Sequence, residues 1–422
     1  MGFPALSMSH ADLGVTFEDV NRAAAQIAGH VLRTPSLAAP KLSALSGADV
    51  VMKYENMQAT GSFKDRGSLV KLLSLDAAQR ERGVIAISAG NHAQAVAHHS
   101  GRLGIPATIV MPEATPFNKV SNTEAFGARV ILSGETIAES RALADEIMER
   151  EGLTLVHPFD DPLVIAGQGT AGLEFVNDCP GLDCILVPVG GGGLISGTAI
   201  AAHALSPQVE IIGVETQSYP SAHAALHGRT ATCGGQTLAE GIAVKSVGQH
   251  TLPIMRALVA DIILVDETAI EQAIFTLASV QKTVAEGASA ATLAALLSHP
   301  ERFCRRRVGL FHTGSNIDPR VLASIMLRGL ERDSKIVSLR LSIDDRPGML
   351  GEIATELGRC GANILEVFHR RMYLDVPAKG AMVDLVIETK DRAHAGQAIS
   401  RLRSKGFDVA RLNGMASRER EN

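Results

Sequence analysis

At 422 residues the chain is long enough for two or three domains of ordinary size. Its residues are 46% hydrophobic and 20% charged, which supplies a large core and excludes a disordered chain. Lys and Arg number 40 against 45 Asp and Glu, and the net charge of −5 offers no attraction to nucleic acid or an anionic membrane surface. In chain order, Met1–His10 lacks a charged segment followed by an apolar one, so no secretory leader is expected. From about 50 to 315, short apolar runs alternate with helical patterns: Val84–Ile87, Thr108–Met111, Ile185–Val189, Ile211–Val214, Ile262–Val265 and Val308–Phe311. Continuous runs of this kind suit strands buried on both faces, in a parallel sheet covered by helices.

No run approaches the roughly 18 apolar residues of a membrane span. Beyond residue 327 the pattern changes. The charged stretch 328–335 reads as a linker, and Val337, Leu339, Leu341 and Ile343 then alternate with polar residues as a half-exposed strand. A turn at Asp345-Arg-Pro-Gly348, with Pro347 near the first helical position, leads into a helix. Leu350, Ile353, Ala354 and Leu357 share one face of it, and Gly361 caps it. Strands at Ile364–Arg371 and around Val383–Ile387, a helix ending at Lys405-Gly406 and a short last strand complete βαββαβ, a small ferredoxin-like module over 336–416, with a polar tail at 417–422.

Three strands end in turns rich in Gly, Ser or Asn, which is where open α/β sheets bind ligands. Ser88-Ala-Gly-Asn-His92 is either a helix-entry turn capped by Ser88 or an anion nest for a substrate carboxylate, with Asn91 able to point its amide at a ring hydroxyl. Gly190-Gly-Gly-Gly-Leu194, before the helical stretch 195–204, lets backbone amides close around a phosphate; it fits neither GxGxxG nor GxxxxGK[ST]. His312-Thr-Gly-Ser-Asn316 is either a plain loop or a site element whose Thr313 offers a neutral hydroxyl to a ring nitrogen. Earlier in the chain, Lys64 in Thr60-Gly-Ser-Phe-Lys-Asp-Arg-Gly67 is either a surface charge beside a turn or a Schiff-base amine.

Together with Leu238–Val244 (LAEGIAV), these four segments resemble the fold-type II pyridoxal-phosphate enzymes, and within them the threonine dehydratases (threonine ammonia-lyases). The DRPGML and GANI segments resemble an ACT domain. The resemblance implies an α/β chain of two open twisted sheets with flanking helices plus a small α+β module: a catalytic domain over 1–327, with a smaller subdomain at roughly 50–160, and an ACT domain over 336–416. It implies pyridoxal 5'-phosphate carried covalently by Lys64, with Phe63 beside its ring, Asn91 on the ring 3′-oxygen, Gly190, Gly191, Gly192, Gly193 and Leu194 around the phosphate, and Thr313, where relatives have Ser, at the ring nitrogen. The substrate carboxylate falls to Ser88, Ala89, Gly90, Asn91 and His92.

The expected reaction removes the Cα proton with the freed Lys64 amine and expels the β-hydroxyl, which needs a proton to leave. The released enamine tautomerises and is hydrolysed to 2-oxobutanoate and ammonia from threonine, or to pyruvate and ammonia from serine. Racemases of the family carry Ser where Ala89 stands, so dehydration is expected over racemisation. Glu215, followed by Tyr219 and Ser221 where further ligands would be needed, makes no dedicated divalent-metal site. A serine racemase, a dehydratase of another β-hydroxy amino acid, a β-replacement synthase and a non-catalytic amino-acid sensor are the competing readings. An ACT module implies an effector such as isoleucine, held by Asp345, Arg346, Pro347, Gly348 and Asn363 between paired copies, hence a homodimer or homotetramer. His98-His99, Arg305–Arg307, Cys179 and Cys184 carry no expected duty. Five cysteines without CxxC spacing fit reduced thiols in a cytoplasm, in isoleucine supply or amino-acid degradation.

Overall fold

The computed structural model describes residues 13–371 and 380–412; Met1–His10 and the tail at 417–422 lie outside them. The described residues form two compact units that divide between Ile317 and Asp318. The first holds β1 (Ser36–Ala38), β2 (Asp49–Tyr54), β3 (Val84–Ile87), β4 (Ala107–Met111), β5 (Arg129–Leu132), β6 (Thr154–Leu155), β7 (Cys184–Pro188), β8 (Glu210–Thr216), β9 (Asp261–Val265) and β10 (Arg307–His312). Five of the six apolar runs lie wholly in one of these strands, and Ile185–Val189 overruns β7 by its last residue. β3, β4 and β7 are buried along their whole length, which is why they show no polar alternation.

A six-stranded sheet has the order β1-β2-β10-β7-β8-β9 and is parallel except for its edge strand β1. A four-stranded parallel sheet has the order β5-β4-β3-β6. The smaller subdomain is therefore shorter than the expected 50–160. β2 belongs to the larger sheet, paired with β10 from Asp49–Arg307 to Tyr54–His312, and the smaller sheet begins at Val84.

Helices Lys64–Leu73 and Gly193–Leu205 both press onto helix Pro162–Asp178 through glycines. A Cβ on Gly67 would lie 2.4 Å from Gln168 Nε2, and one on Gly197 would lie 2.4 Å from the Ile165 carbonyl. Backbone contact this close fixes the two helices that open the Lys64 and tetraglycine segments. A buried ion network adds to it. Arg66 Nε and Nη2 donate to Glu55 at 2.7 and 2.8 Å, Arg66 Nη1 donates to Glu174 at 2.7 Å, and Lys53 Nζ donates to Glu174 at 2.6 Å.

The second unit opens with helix Pro319–Arg332, capped by Asp318, so the stretch read as a linker at 328–335 is for most of its length the end of a helix. The Asp-Pro start and the apolar Val321 and Ile325 define that helix, and the charged residues are its outer face. β11 (Ile336–Asp344), helix Met349–Arg359, β12 (Asn363–Arg370), β13 (Gly380–Glu388), helix Arg392–Ser404 and β14 (Asp408–Leu412) then form βαββαβ, with an antiparallel sheet ordered β12-β13-β11-β14. Gly361, at φ +78°, follows the first helix of the module as expected. Two details differ. Ile353 and Leu357 are buried but Ala354 is exposed, one hundred degrees round the helix from Ile353. Pro347 precedes the N-cap Gly348 and so lies outside the helix rather than at its first position. Among the described residues no helix is long and apolar enough to cross a membrane.

Candidate active site

Three loops at the carboxyl ends of β3, β7 and β10 converge with the start of helix Lys64–Leu73. The lysine segment is zipped to the β10 loop: Phe63 N–H donates to the Thr313 carbonyl at 3.1 Å, Ser315 N–H to the Gly61 carbonyl at 3.1 Å, and Ser62 pairs with Gly314. Gly61 turns this segment at φ +75°, a conformation that favours glycine.

Lys64 is the first residue of its helix and is partly buried. Its Nζ donates to the Pro158 carbonyl at 2.6 Å and lies 5.2 Å from the centre of the Phe63 ring. Burial pushes its pKa down to about 8, against the opposing pull of the Glu286 carboxylate. A neutral amine, the form that serves as nucleophile or base, is thus accessible near neutral pH. Two histidines stand nearby in neutral form. Burial pushes His92 down to about 3, with the Lys64 charge adding to it, and His92 Nε2 meets the Val156 carbonyl at 2.8 Å. Burial also pushes His157 down to about 4, and its Nδ1 accepts from Asp160 N–H at 2.7 Å.

Asn91 opens helix Asn91–Leu103, with Gly90 as N-cap. Ser88 is therefore not the helix cap; its Oγ instead accepts from Gly90 N–H at 3.2 Å within the turn. Ala89 is partly exposed beside it. Asn91 Nδ2 donates to Glu286, while Asn91 Oδ1 and Thr313 Oγ1 are buried without a hydrogen-bond partner. Buried polar atoms ordinarily find partners, and these two join Ser62 Oγ and His92 Nδ1 of the neighbouring segments as unpartnered atoms available to a ligand. Glu286 escapes a reading of the sequence, because a single Glu between Ala and Gly carries no pattern.

Helix Gly193–Leu205 starts inside the tetraglycine, so its first-turn amides have no helical acceptor. The glycines are also demanded by the protein itself. A Cβ on Gly191 would fall 2.2 Å from the Phe159 ring, one on Gly190 would lie 3.0 Å from Val244 Cγ2, and one on Gly192 would lie 2.9 Å from Thr251. Thr251 Oγ1 donates to the Gly191 carbonyl at 2.7 Å and holds the loop from behind. Glu215 accepts from Ala222 and His223 N–H at 2.7 and 2.8 Å, at the start of helix Ser221–Leu226. His99 is buried and His98 meets it edge-on at 4.9 Å.

In the second unit, Asp345 pairs with Arg371 at 3.2 Å, Arg346 pairs with Asp344 at 3.1 Å, and Gly348 caps the helix at φ +93°. Asn363 follows the other end of that helix and donates to Glu388 at 3.4 Å. The expected effector residues are therefore split across a helix of 11 residues, about 16 Å long.

Residues 27–314 match the pyridoxal-phosphate dependent enzyme family. The chain belongs to that family. It is 42% identical to the L-threonine ammonia-lyase of Thermotoga maritima, over 94% of this chain and 99% of that one. Among solved structures it is similar to a threonine deaminase from T.th. (40% identity, TM-score 0.68, 72% of this chain and 99% of that one). It is also similar to the serine racemase of Dictyostelium discoideum (34% identity, TM-score 0.68, 72% and 99%). The residues fit the family's cofactor: an amine of lowered pKa, two buried polar atoms without partners and a loop of unengaged amides suit an aldehyde, a polar ring and a phosphate.

Proposed function

We infer that the protein is a pyridoxal-phosphate dependent L-threonine ammonia-lyase that forms 2-oxobutanoate and ammonia, with L-serine giving pyruvate as a second reaction. The observation that carries this reading is the Lys64 amine, lowered to about 8, in a site where Asn91 Oδ1 and the Thr313 hydroxyl have no protein partner. The identity to a named ammonia-lyase over nearly the whole chain supports the choice of reaction. When bound, the cofactor supplies the electron sink for the Cα carbanion.

The chain's own residues do the rest. Lys64 would hold the cofactor covalently through Nζ, and its free amine would take up the Cα proton as general base. Its partial burial keeps that amine neutral enough to act. Phe63 would pack beside the cofactor ring, Asn91 would meet its 3′-oxygen, and the amides of Gly190–Leu194 would hold its phosphate. Ser88–His92 take the substrate carboxylate at the start of helix Asn91–Leu103. Thr313 would offer the ring nitrogen a neutral hydroxyl, which, unlike a carboxylate, would not balance a positive charge there and would favour elimination. Ala89 has no proton to give to the opposite face of the substrate, and His92 and His157 are neutral, so racemisation lacks its second acid. Glu215 spends both oxygens on a helix start and is no metal ligand in this reading.

The βαββαβ unit serves as an ACT module in a cytoplasmic homodimer or homotetramer. What supports this is its strand order together with a helix start at Gly348 whose free amides suit an effector carboxylate. Because Asp345–Gly348 and Asn363 lie at opposite ends of one helix, an effector that touches both needs two copies. Isoleucine or another branched-chain amino acid is the expected ligand, consistent with a place in isoleucine supply. The test is 2-oxoacid release from a panel of β-hydroxy amino acids, with and without isoleucine. Lys64→Ala is expected to remove turnover by about 10⁴-fold, the upper range for a general base. Near-normal release by Lys64→Ala, or D-serine forming from L-serine as fast as pyruvate, would contradict the assignment.

A further inference from the structure

Glu286 has no role in the reaction as described, yet its carboxyl group is buried within the site. It stands at the N-cap of helix Gly287–Ser298, where short side chains ordinarily turn back onto the first amides. Glu286 makes no such bond. Its carboxylate, 9% exposed, reaches instead to Asn91, 195 positions earlier in the chain. Asn91 Nδ2 lies 2.9 Å from Oε1 and 3.0 Å from Oε2, and the Asn316 backbone N–H supplies a further donor. Glu286 N–H donates to the Gly314 carbonyl at 3.1 Å, and Gly314 makes the room. A Cβ there would lie 2.6 Å from Glu286 Oε1 and 3.1 Å from Asn91 Nδ2.

A carboxamide can present either its oxygen or its nitrogen to a neighbour with almost no change of shape. Burial raises Glu286 to about 7, and in its ionised form, above that pH, a carboxylate that accepts from Nδ2 removes that freedom, because Oδ1 in its place would set acceptor against acceptor. The amide end not spent on Glu286 is the one left buried without a partner. We propose that Glu286 is a positioning residue for Asn91: by accepting from Nδ2 it fixes the turn of the carboxamide, so that the remaining amide proton and Oδ1 are presented to the cofactor ring. This rests on the reading of Asn91 as the ring contact.

The test uses the full chain, stripped of cofactor and titrated with pyridoxal phosphate, reading the affinity by equilibrium dialysis and the absorbance spectrum of the bound cofactor. Asn91→Ala is expected to weaken binding about tenfold, the scale of one charge-assisted hydrogen bond, and to shift the visible band. Glu286→Ala and Glu286→Asp should shift the band in the same direction, and the Asn91→Ala/Glu286→Ala double variant should be no worse than Asn91→Ala. The Asp variant is decisive because it keeps the charge and withdraws the acceptor by one methylene. Wild-type affinity and spectrum in Glu286→Asp, or additive effects in the double variant, would overturn the proposal. If Asn91→Ala itself matches wild type, the ring-contact reading fails and the proposal falls with it. Should the Ala and Asp variants not fold, the nearly isosteric Glu286→Gln has one acceptor oxygen for two donors. It should shift like Asn91→Ala, and an unchanged Gln variant is again contradictory.

Discussion

Charge is enclosed in different ways in the two units. In residues 13–317, Arg66, Glu55 and Lys53 are cut off from solvent altogether and meet one another and Glu174 in a closed network. In residues 318–412, the carboxylate Asp384 is nearly buried but its partner Arg340 remains 33% exposed, and Glu356 leans on Arg401 at 42%. A closed network is a weak source of net stability but is unforgiving of the loss of a member, whereas a solvated arginine leaves its partner within reach of water. The enclosed arrangement belongs to the helix that begins at Lys64, so rigidity is concentrated where an amine must keep a fixed direction. Orphaned polar atoms divide in the same way. Among the described residues, the second unit has a single such buried side-chain atom, His369 Nε2, whereas the first has twelve, four of which (Ser62 Oγ, Asn91 Oδ1, His92 Nδ1 and Thr313 Oγ1) lie in the segments that carry the site.

The largest expected effect comes from breaking the closed network. Arg66→Ala leaves buried Glu55 without its ion-pair partner and Glu174 with Lys53 alone, and should cost about 3–5 kcal/mol of stability, read as a lowered denaturant midpoint. Arg340→Ala should lower it far less. Equal losses would erase the contrast between the units. A middle-sized effect concerns pH. His312, set between Thr283 Oγ1 and Ser289 Oγ, is pushed by burial from 6.5 down to about 3. Below pH 6.5 the unfolded chain takes up a proton that the folded chain refuses, so His312 makes stability fall as the pH drops from 6.5 towards 3. His312→Gln does not titrate and should flatten that fall between pH 6.5 and 4, measured as midpoint against pH; an unchanged slope would contradict it. The smallest effect is expected from Thr313→Val. Removing an unpartnered buried hydroxyl should leave the cofactor-free protein as stable as before or slightly more so, while cofactor affinity drops. Lost stability of the cofactor-free form would mean that the hydroxyl is already satisfied.

The sheets and their ligand-bearing ends were legible because buried parallel strands are apolar without interruption and because glycine- and asparagine-rich turns follow β3, β7 and β10. The βαββαβ order was legible from alternation in β11 and β13. Other features are set by contacts distant in sequence and leave no local pattern. Glu286 reaches Asn91 across 195 positions, Lys53 joins Glu174 across 121, and Phe159 meets Gly191 only in the fold. The unit boundary was missed because the outer face of helix Pro319–Arg332 is charged enough to pass for a linker. The stretch from about residue 50 reads as part of the smaller subdomain because adjacency in sequence hides its pairing with β10.

The claim beneath all of this is that one side chain carries the vitamin B6 aldehyde. Reduction of the cofactor-loaded protein with borohydride, followed by digestion and peptide mass mapping, tests it directly. A pyridoxyl group on Lys64 alone is the predicted result, and a label on another residue, or none, would contradict it.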